Sequence, residues 1–392
     1  MRKTINIGDL GTIITGKTPP TTNKNYYGDY AVFIKPTDIT EHSKYTYETE
    51  EMYSKLAAEK YESSLIPKGA ICVPCIGTVG TKMTMAPCDC YTNQSINSII
   101  CNENYDNEYV YYLIKNFLPG LKAYNLGTAS GREYVSKSNF EKIELVAEQD
   151  KEIQKKIGII LSRYDSLIEN YQKQIKLLEE AAQRLYKEWF IDLHFPEHEN
   201  TNIIDGVPEG WEKKKLHEIA EVVMGSSPKS EFYNNDKQGL PFHQGVGSYG
   251  TRFVDDNVYS TSITRLAEPN SILFSVRAPV GRLNITKNKI IIGRGLAAMN
   301  HKDGFQSFLF YMLKERFFMD NIIGNGSIFA SISKVELLDQ EFIVPPMKTI
   351  KAFESLASKL DKKIQGVDTQ LRLLTEARDR LLPKLMSGEI TI

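Results

Sequence analysis

The chain contains one long amphipathic helix pattern twice. Apolar side chains recur in steps of four and three residues from Ile157 to Trp189, and the same register returns from Phe353 to Leu385. A spacing of 3.5 residues, with Lys, Glu, Gln and Asp between the apolar positions, is typical of the a/d seam of a coiled coil. A helix with so narrow a seam buries it best against a second seam, and its own copy is the nearest one. The pattern therefore predicts two long helices that pair with each other.

The residues predicted to form this seam come from both helices. They are Ile168, Tyr171, Ile175, Leu178 and Leu185 in the first, and Leu360, Ile364, Val367, Leu371, Leu374 and Leu381 in the second. In the alternative arrangement each helix packs separately against its own globular domain, which usually requires a third apolar position in each heptad. Pro383 predicts that the second helix kinks or ends near Leu382, because proline cannot donate the helical hydrogen bond.

The repeat extends beyond the helices to the whole chain. INIGDLGTIITGKTPP, from Ile5, aligns with KLHEIAEVVMGSSPK, from Lys215, and places Gly16 over Gly225. In the same way AICVPCIGTVG aligns with SILFSVRAPVG, and YYLIK aligns with FYMLK. Self-similarity on this scale predicts duplicated structural units. The predicted segments are a globular domain (1–147), a helix (148–190), a linker (191–210), a second globular domain (211–346), and a second helix with the C-terminal tail (347–392).

Each globular domain is predicted to mix helices and strands. The candidate strands are DYAVFIKP, GAICVPCIG, INSIICN and KIELV in the first domain, and SILFSV, KIIIG, LAAMN and EFIVP in the second. The candidate helices are NEYVYYLIKNFL and FQSFLFYMLKERFF. The predicted fold class is α/β, with mixed α and β structure in two pseudo-repeated domains that two long helices join.

Four cysteines form a pattern with two possible interpretations. Cys72, Cys75, Cys88 and Cys90 make a CxxC followed by a CxC, which is a spacing found in zinc sites. The CxxC, however, lies in an apolar strand-like segment, where a spacing of three residues directs the two side chains to opposite faces. In the second copy of the repeat, Leu273 and Val276 occupy the positions of Cys72 and Cys75. These observations favour buried thiols over a metal site.

The composition limits the possible function classes. With 41% hydrophobic and 25% charged residues the chain has the composition of a globular protein, and the beginning MRKTINIGDL lacks the apolar core of a signal peptide. We therefore expect a cytoplasmic protein with no membrane segment. The net charge of -1 excludes a global basic field, so any nucleic-acid site must be local. The sequence contains no methylase tetrapeptide, dinucleotide fingerprint or metal-ligand motif, which favours a binding protein over an enzyme.

One stretch of the second domain is locally basic. Between Gly250 and Gly295 arginines and lysines outnumber acidic residues, and His243 and Gln244 precede this stretch. Arginine on phosphates or guanine edges, with glutamine on adenine, is a combination that proteins use on DNA. A solvated basic face is the alternative interpretation of the same residues.

Several motifs, in this order and duplicated, resemble a known family. The opening GVPEGWEKKKLHEIAEVVMGSSP, the stretch GRGLAAM with its counterpart NQSINSI, and the helix endings LLEEAAQRLYKEWF and LLPKLMSGEI are similar to those of the specificity (S) subunit of type I restriction-modification systems. The resemblance covers the whole chain. It implies two target recognition domains that each read one half of a bipartite double-stranded DNA target, and two antiparallel helices that fix the spacer between the halves.

The resemblance also implies partners and cofactors. Two methylation (M) subunits would supply S-adenosylmethionine and adenine-N6 methyl transfer, and restriction (R) subunits would add chemistry that depends on ATP and Mg. The S subunit has no catalytic residues, cofactor or metal of its own. The residues expected to contact DNA are Lys35, Thr37, Thr78, Lys82, Gln94 and Arg132 in the first domain, and His243, Gln244, Tyr249, Arg252, Arg277, Arg282 and Arg294 in the second.

Two other function classes fit parts of the sequence. A duplicated coiled-coil scaffold that joins two protein or carbohydrate partners would also use paired helices between globular domains. A single enzyme with an unrecognised site is a weaker alternative, because a duplicated active site would be expected to repeat its polar residues. A neighbouring reading frame with an Asn/Asp-Pro-Pro-Tyr motif would favour the S subunit over the scaffold.

Overall fold

A computed structural model of the chain describes residues 2–40, 43–125, 127, 133–317 and 331–392. The chain divides into two compact units, one formed by Met1–Lys173 with Asp368–Ile392 and the other by Gln174–Val367. Each unit therefore contains a globular domain and part of both long helices.

The first half of the chain has four helices and ten strands among its described residues. The helices are α1 (Lys55–Lys60), α2 (Asn107–Phe117), α3 (Lys137–Glu141) and α4 (Lys151–Phe190). The strands are β1 (Arg2–Asn6), β2 (Gly11–Thr15), β3 (Tyr27–Gly28), β4 (Ala31–Ile34), β5 (Met52–Tyr53), β6 (Ile71–Pro74), β7 (Thr84–Met85), β8 (Tyr91–Thr92), β9 (Ile96–Cys101) and β10 (Glu144–Glu148).

The second half follows the same order after a short hairpin. Its helices are α5 (Leu216–Ile219), α6 (Gln306–Phe317), α7 (Lys334–Leu338) and α8 (Met347–Ser387). Its strands are β11 (Ile203–Ile204), β12 (Val207–Pro208), β13 (Glu212–Lys215), β14 (Ala220–Met224), β15 (Tyr233–Asn234), β16 (Leu240–His243), β17 (Tyr259–Ser260), β18 (Leu266–Ala267), β19 (Ile272–Ser275), β20 (Leu283–Ile285), β21 (Ile290–Ile292), β22 (Leu296–His301) and β23 (Glu341–Val344).

The two domains have the same sheet topology. In the first, β1 pairs with β10, one sheet has the order β2-β9-β6-β7, and another has the order β3-β5-β4-β8. In the second, β13 pairs with β23, and the other sheets have the orders β14-β22-β19-β20 and β15-β17-β16-β21-β18. In each domain a parallel pair, β4 with β8 or β16 with β21, stands among antiparallel ones. The predicted duplication and mixed fold class are confirmed, and the second domain adds β18 at one sheet edge.

The predicted strands and short helices coincide with observed elements. The four strands predicted in the first domain overlap β4, β6, β9 and β10, and those predicted in the second overlap β19, β21, β22 and β23. The two predicted helices correspond to α2 and α6. The other strands lie outside the predicted segments, including the longer strands β1, β2, β13, β14 and β16. The strands β3, β5, β15 and β17 have two residues each, which are too few to show an alternating pattern.

The long helices run antiparallel within each unit. In the first unit Ile157 and Leu161, near the start of α4, share a core with Leu382 and Leu385, near the end of α8. In the second unit Trp189, at the end of α4, packs against Phe353, near the start of α8, with ring centroids 5.9 Å apart.

The helix ends are also part of the domain cores. The core of the first unit joins α2 and α3 to both helices, and the core of the second joins α6 to Tyr186, Phe190 and Phe353. Pairing of the helices and packing against the domains, considered above as alternatives, therefore occur together. The compact units consequently divide each helix, whereas the predicted segments set the helices apart from the domains.

The burial of the helix side chains follows the 3.5-residue pattern. Of the seam residues, Ile168, Ile175, Ile364 and Val367 are buried. The others, Tyr171, Leu178, Leu185, Leu360, Leu371, Leu374 and Leu381, are half-buried. Four leucines outside the seam, Leu167, Leu177, Leu356 and Leu373, are exposed. Near the helix ends, residues outside the seam such as Leu382 and Tyr186 are buried as well, because the domain cores cover them.

The helix does not end at Pro383, which was one of the two outcomes predicted for that residue. Helix α8 continues past the proline to Ser387. Leu385 and Met386, which follow it, are buried in the core of the first unit. The guanidinium of Arg2 donates to the carbonyl oxygens of Leu385 and Met386, at 2.9 and 3.1 Å. Core packing and this cap on the last turn hold the helix beyond the bond that proline cannot make.

The cysteines of the CxxC pattern lie on opposite sides of their strand. Cys75 belongs to the main core of the first unit and Cys72 to a separate cluster with Ile34 and Ile66. Burial raises the pKa of both thiols to about 12. Cys90 is also buried, but Cys88 is exposed, so burial of all four thiols is not observed.

Candidate nucleic-acid interface

A tight contact joins two loops at one end of the first domain. The loop that follows β2 lies against the loop that precedes β9, because Gly16 N–H donates to the Ile96 carbonyl at 3.2 Å and Lys17 N–H donates to the Thr92 carbonyl at 2.9 Å. A Cβ on Gly16 would lie 2.1 Å from the Thr92 carbonyl oxygen. Only glycine permits so close an approach of the two backbones.

The second domain repeats this contact bond for bond. Gly225 N–H donates to the Leu296 carbonyl at 2.9 Å, and Ser226 N–H donates to the Ile292 carbonyl at 2.9 Å. A Cβ on Gly225 would lie 2.1 Å from the carbonyl oxygen of Gly293. The glycine that the repeat aligns therefore has the same structural role in both domains.

Two further loops join each contact through matching backbone bonds. The loop after β4 is held by Asn93 N–H on the Ile34 carbonyl at 3.1 Å, and the loop after β16 by Gly293 N–H on the His243 carbonyl at 2.8 Å. The segment after β6 is held by Cys75 N–H on Ser95, at 2.7 Å, and the segment after β19 by the corresponding bond between residues 276 and 295, at 2.9 Å. We call these four loops the recognition loops of each domain. They are 16–18, 35–37, 75–82 and 93–95 in the first domain. In the second domain they are 225–227, 244–246, 276–282 and 293–295.

The recognition loops of the second domain present two long polar side chains together. Gln244 and Arg294 are both exposed. Ser227 lies between them, since its hydroxyl donates to Oε1 of Gln244 at 2.8 Å and accepts the backbone N–H of Arg294 at 3.1 Å. These two residues, predicted from the sequence as DNA contacts, are thus brought together.

Two more predicted arginines lie on the loop between β19 and β20. Arg277 and Arg282 are exposed. Within the ranges that the structure describes, neither Arg277 nor Arg294 forms an ion pair. Arginine is always charged, so the loops carry positive charge on side chains with planar sets of donors.

The recognition loops of the first domain carry less free charge. Gln94 is exposed, and its Oε1 accepts a hydrogen bond from the Thr18 hydroxyl. The ammonium of Lys35 is paired with Glu50 at 2.7 Å and with Glu51 at 3.2 Å. The Lys35 ammonium would therefore have to break its ion pairs with Glu50 and Glu51 before it could bind a DNA phosphate.

The remaining predicted residues of the first domain differ in exposure. Thr37 is exposed and Thr78 is half-buried, with its hydroxyl oxygen enclosed and without a hydrogen-bond partner in the described chain. Lys82 is half-buried and donates to the Ile39 carbonyl at 2.9 Å. Arg132 lies outside the described residues.

Arg252 was predicted to contact DNA, but its side chain is buried within the protein. Its side chain is 3% exposed and pairs with Asp361 on α8 at 2.6 Å and with Glu179 on α4 at 3.5 Å. The guanidinium carbon lies 3.8 Å from the ring centroid of Phe310. A guanidinium enclosed by two carboxylates and a ring is an internal ion-pair partner and is not available to DNA.

The predictions for His243 and Tyr249 are also corrected. The His243 ring is buried between Ser248 Oγ, at 2.7 Å, and Asp256 Oδ1, at 3.0 Å. Burial acts to raise the pKa of Asp256, but hydrogen bonds from His243 and Asn288 outweigh it, and the pKa is lowered. Burial also raises the pKa of Tyr249, whose hydroxyl is enclosed. The His243 ring supports the loop that carries Gln244 from inside, and Tyr249 is half-buried with its hydroxyl turned inward.

Three polar residues of these loops were missed in the prediction. Ser227 and Thr18 precede the aligned prolines Pro228 and Pro19, which was the available sequence signal. Arg265 is exposed, and its carbonyl accepts the N–H of Ile292, next to the recognition loops. Small hydroxyl residues before a proline are common in turns, so their spacing alone indicated no binding role.

The second unit also has an open cavity of about 470 Å³ between α4 and α6. Long charged and polar side chains form its lining, in contrast to the mostly apolar walls of small-molecule sites. They are Lys176, Glu179, Glu180, Gln183, Arg184, Lys187 and Lys314. None of them belongs to the recognition loops.

The described ranges contain neither a cluster of metal-binding side chains nor a membrane-spanning helix. No group of three or more His, Cys, Asp or Glu side chains is placed to hold a metal ion there. No helix among those residues is both long and apolar enough to cross a membrane.

The fold defines a class of protein, a tandem pair of mixed α/β domains that share two antiparallel helices. Residues 2–180 and 208–371 match the family model described as the type I restriction modification DNA specificity domain. The chain therefore belongs to the family of type I restriction-modification specificity subunits, as the sequence motifs indicated.

Known relatives agree with this assignment. The chain is 29% identical over 405 residues to the type I restriction enzyme MjaIX specificity subunit of Methanocaldococcus jannaschii, with 98% of this chain and 93% of the relative covered. It is 30% identical over 294 residues to the putative MjaX specificity subunit of the same organism, with coverage of 72% and 68%. The fold is similar to the crystal structure of the S subunit from M. genitalium, with a TM-score of 0.60, 17% identity, and 98% and 96% of the two chains covered.

Proposed function

We propose that each domain of this specificity subunit reads one half of a bipartite DNA target through its recognition loops. One observation carries the proposal: the same backbone bonds hold the loops in both domains, while the exposed side chains on them differ. Gln94 in the first domain corresponds to Arg294 in the second, and Lys35 corresponds to Gln244. Two domains that share a backbone arrangement but carry different side chains on it are suited to recognise two different DNA sequences.

The chemistry of these side chains supports base reading. Arginine can donate two hydrogen bonds to O6 and N7 of guanine, and glutamine can pair with the major-groove edge of adenine. Arg277, Arg282, Arg294 and Gln244 supply such groups in the second domain, and Gln94 with Thr37 supplies polar groups in the first. Of the residues predicted from the sequence, these are the ones we retain as contacts.

Partners complete the proposed complex. Two M subunits bind the S subunit and carry S-adenosylmethionine for adenine-N6 methylation, and R subunits add cleavage that depends on ATP and Mg. The chain itself contributes recognition without catalysis. The site of action is the cytoplasm, where the chromosome is accessible.

The near-neutral charge of the chain leads to a prediction about salt. If the M subunits provide most of the phosphate contacts, the isolated chain binds DNA weakly and with a shallow dependence on salt. The complex binds with a steep dependence, because log K falls with log salt by about 0.9 per phosphate neutralised. Fluorescence anisotropy of labelled duplex between 50 and 200 mM salt measures both slopes. Tight and steeply salt-dependent binding by the isolated chain would contradict this division of roles.

The paired helices are proposed to set the spacer between the half-sites. Leu371→Asp introduces a charge at a half-buried seam position and is expected to abolish methylation of the normal bipartite motif. Leu373→Asp, two residues away, provides the control because Leu373 is 53% exposed. The measurement is the methylated motif of cells that carry each variant. Normal methylation by Leu371→Asp would contradict the proposed role of the seam.

A map of N6-methyladenine in the source cell with and without the gene tests the function as a whole. We expect one bipartite motif to lose its methylation when the gene is absent. An unchanged map, in cells where the M subunit is expressed, would refute the proposal.

A further inference from the structure

A hydroxyl residue occupies the same position in the two sets of recognition loops. Thr18 and Ser227 each follow the glycine-pinned contact by two residues, and a proline comes next in both cases. Each hydroxyl donates to the side-chain oxygen of a glutamine, Gln94 in the first domain and Gln244 in the second. The two glutamines come from different loops, so the same hydroxyl position orients an exposed amide in two different ways.

Ser227 uses its donor hydrogen and one of its two acceptor sites in bonds to neighbouring recognition loops. A serine hydroxyl has one donor hydrogen and two acceptor lone pairs. Ser227 Oγ already accepts the backbone N–H of Arg294 at 3.1 Å, and its hydrogen is directed to Gln244 Oε1 at 2.8 Å. Because the amide oxygen faces Ser227, the amide nitrogen of Gln244 is directed away from it.

Gly293 lies close to both members of the Ser227–Gln244 pair. A Cβ on Gly293 would lie 2.9 Å from Gln244 Oε1 and 3.1 Å from Ser227 Oγ. The carbonyl of Gln244 accepts the N–H of Gly295 at 3.1 Å. Ser227 thus holds the side-chain oxygen of Gln244, Gly295 N–H holds its backbone carbonyl, and the amide N–H₂ is the group directed away from these contacts.

We propose that Ser227 is a positioning residue that makes Gln244 a donor toward DNA, so that the second domain selects a base whose major-groove edge accepts hydrogen bonds. Guanine fits best, since both O6 and N7 are acceptors, whereas cytosine presents its N4 amino group as a donor. In the first domain Thr18 likewise donates to the side-chain oxygen of Gln94, which lies on a different loop. This inference rests on the proposed function and adds the chemical class of the base that is read.

The opposing view is that Ser227 only stabilises its loop. In that case its loss lowers methylation of the whole target evenly and leaves the base preferences unchanged. The two views differ in the sequence of the methylated motif, which a purely structural role would not change.

The test uses the complete complex in cells from which the chromosomal gene has been deleted. Wild-type, Ser227→Ala and Ser227→Thr chains are expressed in turn, and N6-methyladenine is mapped across the genome. We expect Ser227→Ala to relax the base preference at one position of one half-site by about tenfold, the equivalent of about 1.4 kcal/mol. We expect the other half-site and the spacer to stay the same. Ser227→Thr should restore the preference, because threonine holds the same position in the first domain.

A second variant decides the matter if Ser227→Ala gives too little methylation to map. Gln244→Glu keeps an oxygen to accept the Ser227 hydrogen bond, but it replaces the outward donor with an acceptor. A carboxylate accepts from cytosine N4, so we expect the preference at the same position to move toward cytosine.

The results separate failure of this inference from failure of the proposed function. An unchanged motif for Ser227→Ala, or for Gln244→Glu where Ser227→Ala gives too little methylation to map, would overturn the role of this pair while the specificity function stands. If the wild-type gene itself restores no methylated motif, the proposed function fails instead.

Discussion

The two units place an aspartate at the same position of the helix repeat, buried in the first unit and half-buried in the second, and neutralise it in different ways. Asp165 on α4 and Asp361 on α8 are 196 residues apart and occupy the same place in the helix repeat. Each accepts a hydrogen bond from the tyrosine hydroxyl of the neighbouring short helix, Tyr112 at 2.6 Å and Tyr311 at 2.7 Å. The acid and the tyrosine are thus common to both units, and the difference lies in the cation.

In the first unit the cation belongs to the other long helix. Arg378 of α8 occupies a seam position and pairs with Asp165 at 2.6 Å, and Lys115 lies 3.8 Å from the same carboxylate. In the second unit Ala182 of α4 stands where the repeat would place that arginine, and it is fully buried. The helix supplies no cation there.

In the second unit the globular domain provides the missing charge. Arg252 pairs with Asp361 and also with Glu179. Its counterpart in the first domain is Lys44, since the carbonyls of these two residues accept the equivalent backbone N–H groups of Ile285 and Met85. Lys44 pairs with Glu108 instead of the helix aspartate.

This difference shows which part of a buried polar cluster is free to change. A buried carboxylate requires a cation, but the cation can come from any element within reach. The first unit ties one long helix to the other through its ion pair, whereas the second ties its domain directly to both helices. The sharpest tests of the comparison remove the cations one at a time.

The largest effect is expected for Arg252→Met. The change leaves Glu179 and Asp361 without their shared cation, and breaking a buried ion pair costs about 3–5 kcal/mol. Both tryptophans, Trp189 and Trp211, lie in the second unit, so their fluorescence during urea unfolding reports on that unit. A loss of less than about 1 kcal/mol, the value typical of a surface pair, would show that the cluster is solvated.

A smaller effect is expected for Arg378→Met. Asp165 would keep Lys115 and the Tyr112 hydroxyl, so we expect a loss of about 2–3 kcal/mol, below the usual cost for a buried pair. Hydrogen exchange of α2 measures the loss in the first unit. Arg380→Met is the matched control, because Arg380 is an exposed partner of Glu376 and such pairs contribute about 0.3–0.5 kcal/mol. Equal losses for the two variants would remove the distinction between seam and surface arginines.

The sequence predicted the elements of the fold better than the fate of single polar residues. The long helices and main strands follow from the spacing of many apolar residues. The repeat in the sequence also aligns Gly16 with Gly225, which make matching backbone contacts in the structure. Arg252 and Arg294 both lie in one basic stretch, yet one is buried and the other exposed. What separates them is Asp361, more than a hundred residues further along the chain, and no local pattern connects the two.

The same limit applies to the candidate site. Gln244, Arg277, Arg282 and Arg294 were selected by residue type and are exposed on the recognition loops, whereas the neighbouring His243 is enclosed. Ser227 has an ordinary side chain, and its place between Gln244 and Arg294 depends on two loops that meet only in the folded domain. Contacts of this kind can be identified only from the folded structure, because no local sequence pattern connects the residues that form them.

The smallest effect is expected for Lys44→Met. Lys44 is 4% exposed and its ammonium lies 5.2 Å from the Tyr111 ring centroid and 5.4 Å from that of Tyr112. Methionine keeps the apolar stem, and Glu108, whose side chain is 32% exposed, can turn to water. Asp165 keeps Arg378, so no buried acid is left alone, and we expect a loss of about 1 kcal/mol in the hydrogen exchange of α2. A loss as large as that of Arg252→Met would mean that Lys44 and Arg252 have equivalent roles in the two units. In that case Arg378 would not be the cation on which the stability of the first unit mainly depends.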